Sequence, residues 1–209
     1  SGTALVTRQI DEVGLANTLE QHRVGGRAVV PGALYLDMMT EAARKLIGPG
    51  QSFELTDCRL PQAVALSEVR GHALTVRAET LGNAGWTLVV VAPGRDGSDE
   101  KLLAHAHARV SEGTSSPHLF AHLPPETTTV AGPDLYTALE DHGLVYGPAF
   151  QGIASVESGN GLAEARFVAT GAATPGAAML DTARFDAVFH PIALALRTVD
   201  AEAAAGLWI

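Results

Sequence analysis

The chain has 209 residues, of which 14 are Lys or Arg and 23 are Asp or Glu, so the formal net charge is −9 with His neutral. This acidic balance disfavours contact with phosphate backbones, and we therefore expect no nucleic-acid partner. Hydrophobic residues make up 46% of the sequence and charged residues 18%, which is typical of a folded globular chain and excludes a disordered one.

No apolar stretch is longer than that from Leu88 to Ala92, which is far too short to span a membrane. The first residues show no basic-then-apolar leader, so we expect a cytoplasmic protein without membrane attachment. Cys58 is the one cysteine, which excludes an internal disulfide and a cysteine-based zinc site. The length fits one ordinary domain or two small fused ones.

The first predicted elements are a tight turn, a short strand and a helix. Gly25 and Gly26 permit a tight backbone path, residues 27–30 predict a strand, and Pro31 with the glycine after it suits a helix start. Residues 33–46 carry apolar side chains at helical spacing around much of the circumference, which predicts a buried helix.

The hydrophobic period then changes from helical to alternating. Residues 73–79, 86–92 and 103–110 predict strands, and residues 93–99 predict a turn between the last two. A buried helix followed by several strands favours an antiparallel sheet wrapped around that helix.

Residues 112–132 are rich in Ser, Thr, Pro and Gly and predict a linker. Beyond it the pattern predicts a short helix at 133–142, strands at 150–157 and 162–169, and a second apolar helix near 179–198. We therefore divide the chain into a first half (1–111), the linker, and a second half (133–209), each with strands and one buried helix.

Three short motifs stand out in chain order. They are His22-x3-Gly26-x4-Pro31, Tyr146-Gly-Pro-x-Phe-x-Gly152 and Asp186-x3-His190. Together they resemble the motifs of the dehydratase domains of modular polyketide synthases, and the resemblance spans roughly residues 15–197.

The resemblance implies an α+β double hot-dog fold, in which two antiparallel sheets each wrap round a long helix. It also implies removal of water from a 3-hydroxyacyl thioester on acyl carrier protein, giving the 2,3-enoyl thioester. In that family the second helix is followed by further strands, so we expect the second half to be incomplete in this chain.

The same resemblance assigns roles to individual residues. His22 would be the general base that takes the α-proton, and Asp186 would donate a proton to the leaving hydroxyl. His190 would orient Asp186 or the hydroxyl, and Tyr146 would help to position the site. The substrate-binding and oxyanion candidates are the residues that flank these motifs: Gly25, Gly26, Pro31, Gly147 and Pro148.

The chemistry is consistent with these residue types. A histidine with an unperturbed pKa of about 6.5 is largely neutral at pH 7 and can accept a proton. Asp186 has Phe185, Val188 and Phe189 as sequence neighbours, and an apolar setting favours the uncharged form that an acid needs. General acid and base groups each contribute roughly 10²–10⁴-fold to such reactions.

No cofactor or metal is expected. His105 and His107 share one strand face, as metal ligands often do, but no third ligand is evident near them in the sequence, so we interpret them as a solvated face. The partners implied by the family are acyl carrier protein and neighbouring synthase domains. A homodimer also stays open, because the family commonly pairs through its first half.

Two other functions stay open at this stage. The same His–Asp pair could isomerise, cyclise or hydrolyse the acyl thioester, with cyclisation forming an oxygen ring. Alternatively, the chain could be a non-catalytic relic that binds acyl carrier protein. The sequence specifies neither the length and branching of the acyl chain nor the stereochemistry of the reaction.

Overall fold

A computed structural model describes residues 3–82, 85–94, 99–111, 123–168 and 181–197, and the chain divides into two compact units. Residues 1–19 and 29–118 form the first unit, and residues 20–28 and 119–209 form the second. With elements numbered in chain order, the first unit contains β1 (Thr3–Gln9), α1 (Val13–Leu19), α2 (Gly32–Ile47), β4 (Phe53–Arg59), α3 (Leu66–Val69), β5 (Ala73–Thr80), β6 (Trp86–Ala92) and β7 (Lys101–Val110). The second contains β2 (His22–Val24), β3 (Arg27–Ala28), β8 (Thr128–Ala131), α4 (Gly132–Asp141), β9 (Leu144–Tyr146), β10 (Ile153–Gly159), β11 (Leu162–Phe167), α5 (Thr182–Asp186) and α6 (Ile192–Arg197).

The first unit is a five-stranded antiparallel sheet around one helix. Its strand order is β1-β5-β6-β7-β4, and helix α2 contacts all five strands. Alternate residues of the strands, such as Leu74 and Val76 of β5, are buried because successive side chains point to opposite faces of a sheet. The strands predicted at 73–79, 86–92 and 103–110 are confirmed as β5, β6 and β7.

Helix α2 is the buried helix predicted at 33–46. Met38, Met39, Ala42 and Ala43 are fully buried on it, so two adjoining rows of small and flexible side chains face the core. The helix ends at Ile47 and is capped by Gly48, whose φ of 91° lies in the region that favours glycine.

Within its described residues, the second unit holds two three-stranded sheets, ordered β11-β10-β8 and β3-β2-β9. Helix α4 contacts β8, β9 and β10, while α6 contacts β10 and β11. A core cluster in the described part of the unit is formed by buried side chains from α4, α6, strand β10 and the residue after α5: Leu135, Tyr136, Leu139, Ile153, Val156, Ala187, Ala193 and Leu194.

The long second helix predicted near 179–198 is wrong. The chain instead forms the short helices α5 and α6, which are joined by a turn at residues 187–191. Pro191 explains the break, because proline has no N–H to donate to the carbonyl four residues earlier but suits the start of a new helix.

Two boundaries also differ from the sequence-based division. Residues 20–28, placed by sequence in the first half, fold with the second unit. The predicted linker 112–132 ends in strand β8 and the first residue of α4, and its residues 112–122 lie outside the described residues, as do residues 95–98 of the turn predicted at 93–99.

Candidate active site

Strand pairing within the second unit joins the first two sequence motifs. In the antiparallel ladder between β2 and β9, His22 pairs directly with Tyr146. The β2–β3 hairpin turns through Gly25 and Gly26, whose φ values of 56° and 78° match a two-residue turn that requires positive φ at both positions. The first motif therefore needs its glycines to reverse the chain at the end of strand β2, two residues after His22.

His22 is buried in a pocket of aromatic side chains. Its ring lies 5.4 Å from the ring of Tyr146 in an edge arrangement and 5.3 Å from the ring of Phe150, as measured between centroids. Aromatic contacts at these distances are favourable and restrict rotation of the imidazole.

Asp186 faces His22 from the end of helix α5. His22 Nε2 and Asp186 Oδ2 are 3.8 Å apart, which is longer than a hydrogen bond. Asp181 caps the helix by accepting hydrogen bonds from the backbone N–H groups of Ala183 and Arg184. Base and acid candidates from segments more than 160 residues apart in sequence thus meet within one unit.

His190 holds the carboxyl group of Asp186. Its Nε2 shares a hydrogen bond of 3.1 Å with Asp186 Oδ2, one helical turn along the chain. The His190 side chain is 3% exposed, and its Nδ1 has no hydrogen-bond partner among the described residues. Oδ2 of Asp186 is therefore shared between two imidazoles, one bonded to it and one facing it.

Tyr146 completes the arrangement by packing on His190. The two ring centroids are 4.1 Å apart. Burial, followed by the nearby charge of Asp186, raises the pKa of the Tyr146 hydroxyl well above its ordinary value, so this hydroxyl is a neutral donor at physiological pH.

Sequence reasoning missed Tyr136 as part of this site. The Tyr136 hydroxyl donates to the Phe150 carbonyl at 3.1 Å and accepts from the Ile153 N–H at 3.2 Å. Its ring meets that of His190 edge-on at 5.7 Å. Nothing distinguishes Tyr136 in sequence from an ordinary apolar residue of helix α4.

The expected oxyanion and substrate-binding residues are mostly engaged in backbone structure. The Gly25 N–H donates to the Gly143 carbonyl, and the Gly147 N–H donates to the Gln21 carbonyl, both at 2.8 Å. Pro148 has no N–H to offer a substrate. These residues shape the loops around His22, while the N–H of Gly26 stays a candidate donor.

Pro31 lies in the first unit, where it directly precedes helix α2 in an extended conformation. It too lacks an N–H, so its structural part is to start the helix.

The structure does not place Asp186 in the apolar setting predicted from Val188 and Phe189. Val188 is 50% exposed and Phe189 is 43% exposed, so neither of them shields the carboxyl group. Asp186 itself is 7% exposed, and its surroundings are the side chains of His22, His190 and Tyr146.

His105 and His107 have an acidic neighbour that the sequence did not reveal. Asp57, in an irregular stretch of β4, lies 3.7 Å from His105 Nε2 and 3.8 Å from His107 Nε2, and its other oxygen accepts from Arg59. Over the part of the chain that the structure describes, no group of three or more His, Cys, Asp or Glu side chains is arranged to hold a metal ion. The described helices also include none with the length and apolar character to cross a membrane.

Family comparisons match both units of the chain. Residues 2–92 match the family described as polyketide synthase dehydratase domain, and residues 114–207 match the polyketide synthase dehydratase N-terminal domain.

Curated relatives are much longer proteins. The hybrid PKS-NRPS synthetase LUC5 of Fusarium sp is 32% identical over 83% of this chain, which spans only 5% of that protein. The highly reducing polyketide synthase acrA of Aspergillus aculeatus is 30% identical over 83% of this chain and 8% of its own length.

Solved structures show the fold. The dehydratase domain of RzxB from Pseudomonas fluorescens superimposes with a TM-score of 0.73 at 20% identity, covering 87% of this chain and 66% of that one. The dehydratase domain of PpsC from Mycobacterium tuberculosis superimposes with a TM-score of 0.70 at 22% identity, covering 99% of this chain and 75% of that one. These similarities confirm the double hot-dog α+β fold.

Proposed function

The chain belongs to the dehydratase domains of polyketide synthases, and from this premise we propose that it removes water from a 3-hydroxyacyl thioester to give the 2,3-enoyl thioester. The observation that carries the proposal is the pairing of two buried titratable groups, His22 Nε2 and Asp186 Oδ2, at 3.8 Å inside one unit. The α-hydrogen and the β-hydroxyl lie on adjacent carbons, so a base and an acid this close can serve both.

In the proposed mechanism, His22 is the base. Its Nε2 takes the proton from the carbon next to the thioester carbonyl, and the electron pair of that C–H bond forms the new double bond. Because Tyr146 and Phe150 flank the imidazole, the ring is held in one orientation towards the substrate. A general base held in position contributes a factor of roughly 10²–10⁴ to the reaction rate.

Asp186 is the acid. As the bond between the β-carbon and oxygen breaks, the carboxyl proton goes to the departing oxygen, which leaves as water. The cycle ends with His22 protonated and Asp186 ionised, so transfer of one proton from the first to the second restores the starting state. Because the 3.8 Å between their atoms exceeds hydrogen-bond distance, that return needs the two side chains to approach each other or one water to bridge them.

His190 and Tyr146 are positioning residues in this mechanism. The 3.1 Å hydrogen bond from His190 fixes the plane of the Asp186 carboxyl group, and the Tyr146 ring holds the His190 ring. Proton donation needs the carboxyl oxygen aimed at the leaving group, so loss of either contact lowers the rate of the chemical step.

The names of the relatives support a proposal for the substrate and partners. Several of the curated relatives are named as polyketide synthases or as a hybrid PKS-NRPS synthetase, and this chain spans about a twentieth of the first of them. We propose that the acyl chain arrives on the phosphopantetheine of an acyl carrier protein and that neighbouring synthase domains supply and consume it. A structure of the PpsC dehydratase is described as a complex with C12:1-CoA, a thioester of the same pantetheine type. Loss of water leaves the overall oxidation state unchanged, so the reaction calls for no redox cofactor.

Mass spectrometry of a 3-hydroxyacyl pantetheine thioester incubated with the chain tests the proposal. The expected product is lighter by one water and adds an external thiol across its new double bond. A substrate with a second, distal hydroxyl distinguishes dehydration from cyclisation, because a cyclised product resists thiol addition. Free acid as the main product would instead indicate thioester hydrolysis, and an unchanged substrate with folded protein would favour a non-catalytic role.

A further inference from the structure

Gln21, immediately before His22, connects strand β2 to the turn that follows strand β9. Its backbone carbonyl accepts from the Gly147 N–H at 2.8 Å, and its side-chain Oε1 accepts from the Ala149 N–H at 2.9 Å. One residue therefore binds two amides of the second motif, one through the main chain and one through the side chain.

The segment that Gln21 holds is a β-turn. The Phe150 N–H donates to the Gly147 carbonyl at 2.9 Å, and Pro148 occupies the second position of the turn, where its fixed φ is favoured. The Gln21 side chain runs across Gly147 so closely that a Cβ on that glycine would lie 2.7 Å from Gln21 Cβ. Glycine is thus required beneath the Gln21 side chain.

The turn carries the aromatic walls of the candidate base. Tyr146 precedes it and Phe150 ends it, and the rings of both pack against the His22 imidazole at centroid distances of 5.4 and 5.3 Å. Moving the turn away from strand β2 would therefore loosen both contacts at once.

We propose that Gln21 is a positioning residue, whose side-chain carbonyl pins the 147–150 turn to strand β2 and so fixes the orientation of the His22 ring. The catalytic consequence rests on the proposed function, whereas the effect on the His22 ring does not. A displacement of about 1 Å at a catalytic group can cost about 100-fold in rate. Losing the bond to Ala149 should therefore lower kcat while leaving KM nearly unchanged.

Two Gln21 variants separate hydrogen bonding from filling of space. Gln21→Leu keeps most of the side-chain volume but has no acceptor, and we expect kcat to fall about tenfold or more. Gln21→Glu keeps an oxygen that can accept from the Ala149 N–H, and the charge strengthens such a bond, so we expect kcat within about threefold of wild type. Gln62→Leu, at an exposed position of the first unit, is the matched control.

The second readout is nuclear magnetic resonance of the imidazole nitrogens and ring carbons of His22. Gln21→Leu should broaden or shift these signals through increased ring motion, while Gln21→Glu should keep narrow lines. This measurement needs no turnover, so it tests the role of Gln21 even if wild type fails to dehydrate the thioester, a result that would count only against the proposed function.

Wild-type kcat together with wild-type His22 signals in Gln21→Leu would overturn the inference. An equal loss in Gln21→Leu and Gln21→Glu would overturn it as well, because the acceptor oxygen would then have no role.

Discussion

Replacing Gly147 with alanine tests how tightly the second motif packs against the strand that carries His22. A Cβ at this position would lie 2.7 Å from both Cβ and Oε1 of Gln21 and 2.8 Å from its Cγ. Cβ of Gln21 moves only with its backbone, so rotation of the Gln21 side chain cannot relieve the clash. Gly147 does not have a positive φ, so the cost is steric rather than conformational.

Overpacking of this kind typically costs about 1–3 kcal/mol of unfolding free energy. Gln21→Gly removes all three clashing atoms, so in that background Gly147→Ala should not lower the free energy of unfolding. It should even stabilise by up to about 1 kcal/mol, because alanine restricts the unfolded chain more than glycine does. The cycle of two single variants and the double variant isolates the steric coupling from the lost hydrogen bond of Gln21.

Urea denaturation of wild type, the two single variants and the double variant measures the coupling. An unchanged slope of unfolding free energy against urea concentration indicates that only the stability has changed. Gly14→Ala is the control, since Gly14 lies in helix α1 with no atom near its Cβ position, and it should stabilise by about 0.5–1 kcal/mol. Wild-type stability for Gly147→Ala, or the same loss in the Gln21→Gly background, would refute the steric reasoning.

Two further predictions concern His190 and the buried tyrosines. His190→Gln should keep much of the activity, because the amide can still bond Asp186, while His190→Leu should lower kcat at least tenfold; equal activities would contradict an orienting role. Burial raises the pKa of Tyr146 and of Tyr136 above their ordinary value of about 10. Their neutral forms therefore stabilise the fold fully below pH 10, and this stability is lost as the pH rises towards the folded-state pKa values. Thermal melts between pH 8 and 11 should show this loss as a falling melting temperature, and the fall should be shallower in Tyr146→Phe. An identical fall in that variant would exclude Tyr146 as a source of the pH dependence.

Local patterns predicted the first unit well. Apolar residues recur every three to four positions in helix α2 and every second position in strands β5, β6 and β7, and both patterns are visible in a short window of sequence. The second unit was predicted less well, because Pro191 interrupts an apolar stretch that otherwise has helical spacing.

The candidate site was predictable in its residue types but not in its construction. The motifs named His22, Asp186 and His190, and the structure brings these three together. Nothing local indicated that residues 20–28 fold with the second unit, since that grouping depends on pairing with strand β9, more than 100 residues later. The contributions of Gln21 and Tyr136 each depend on two hydrogen bonds to backbone groups of other elements, and such bonds leave no periodic signal in the sequence.

The central claim is that His22 and Asp186 act as base and acid on the same thioester. Turnover of a 3-hydroxyacyl pantetheine thioester, followed by mass spectrometry with His22→Ala and Asp186→Asn beside wild type, tests it most directly. We predict that wild type releases one water per substrate and that each variant is slower by at least about 100-fold while circular dichroism shows it folded. Dehydration at the wild-type rate by either folded variant would contradict the assignment.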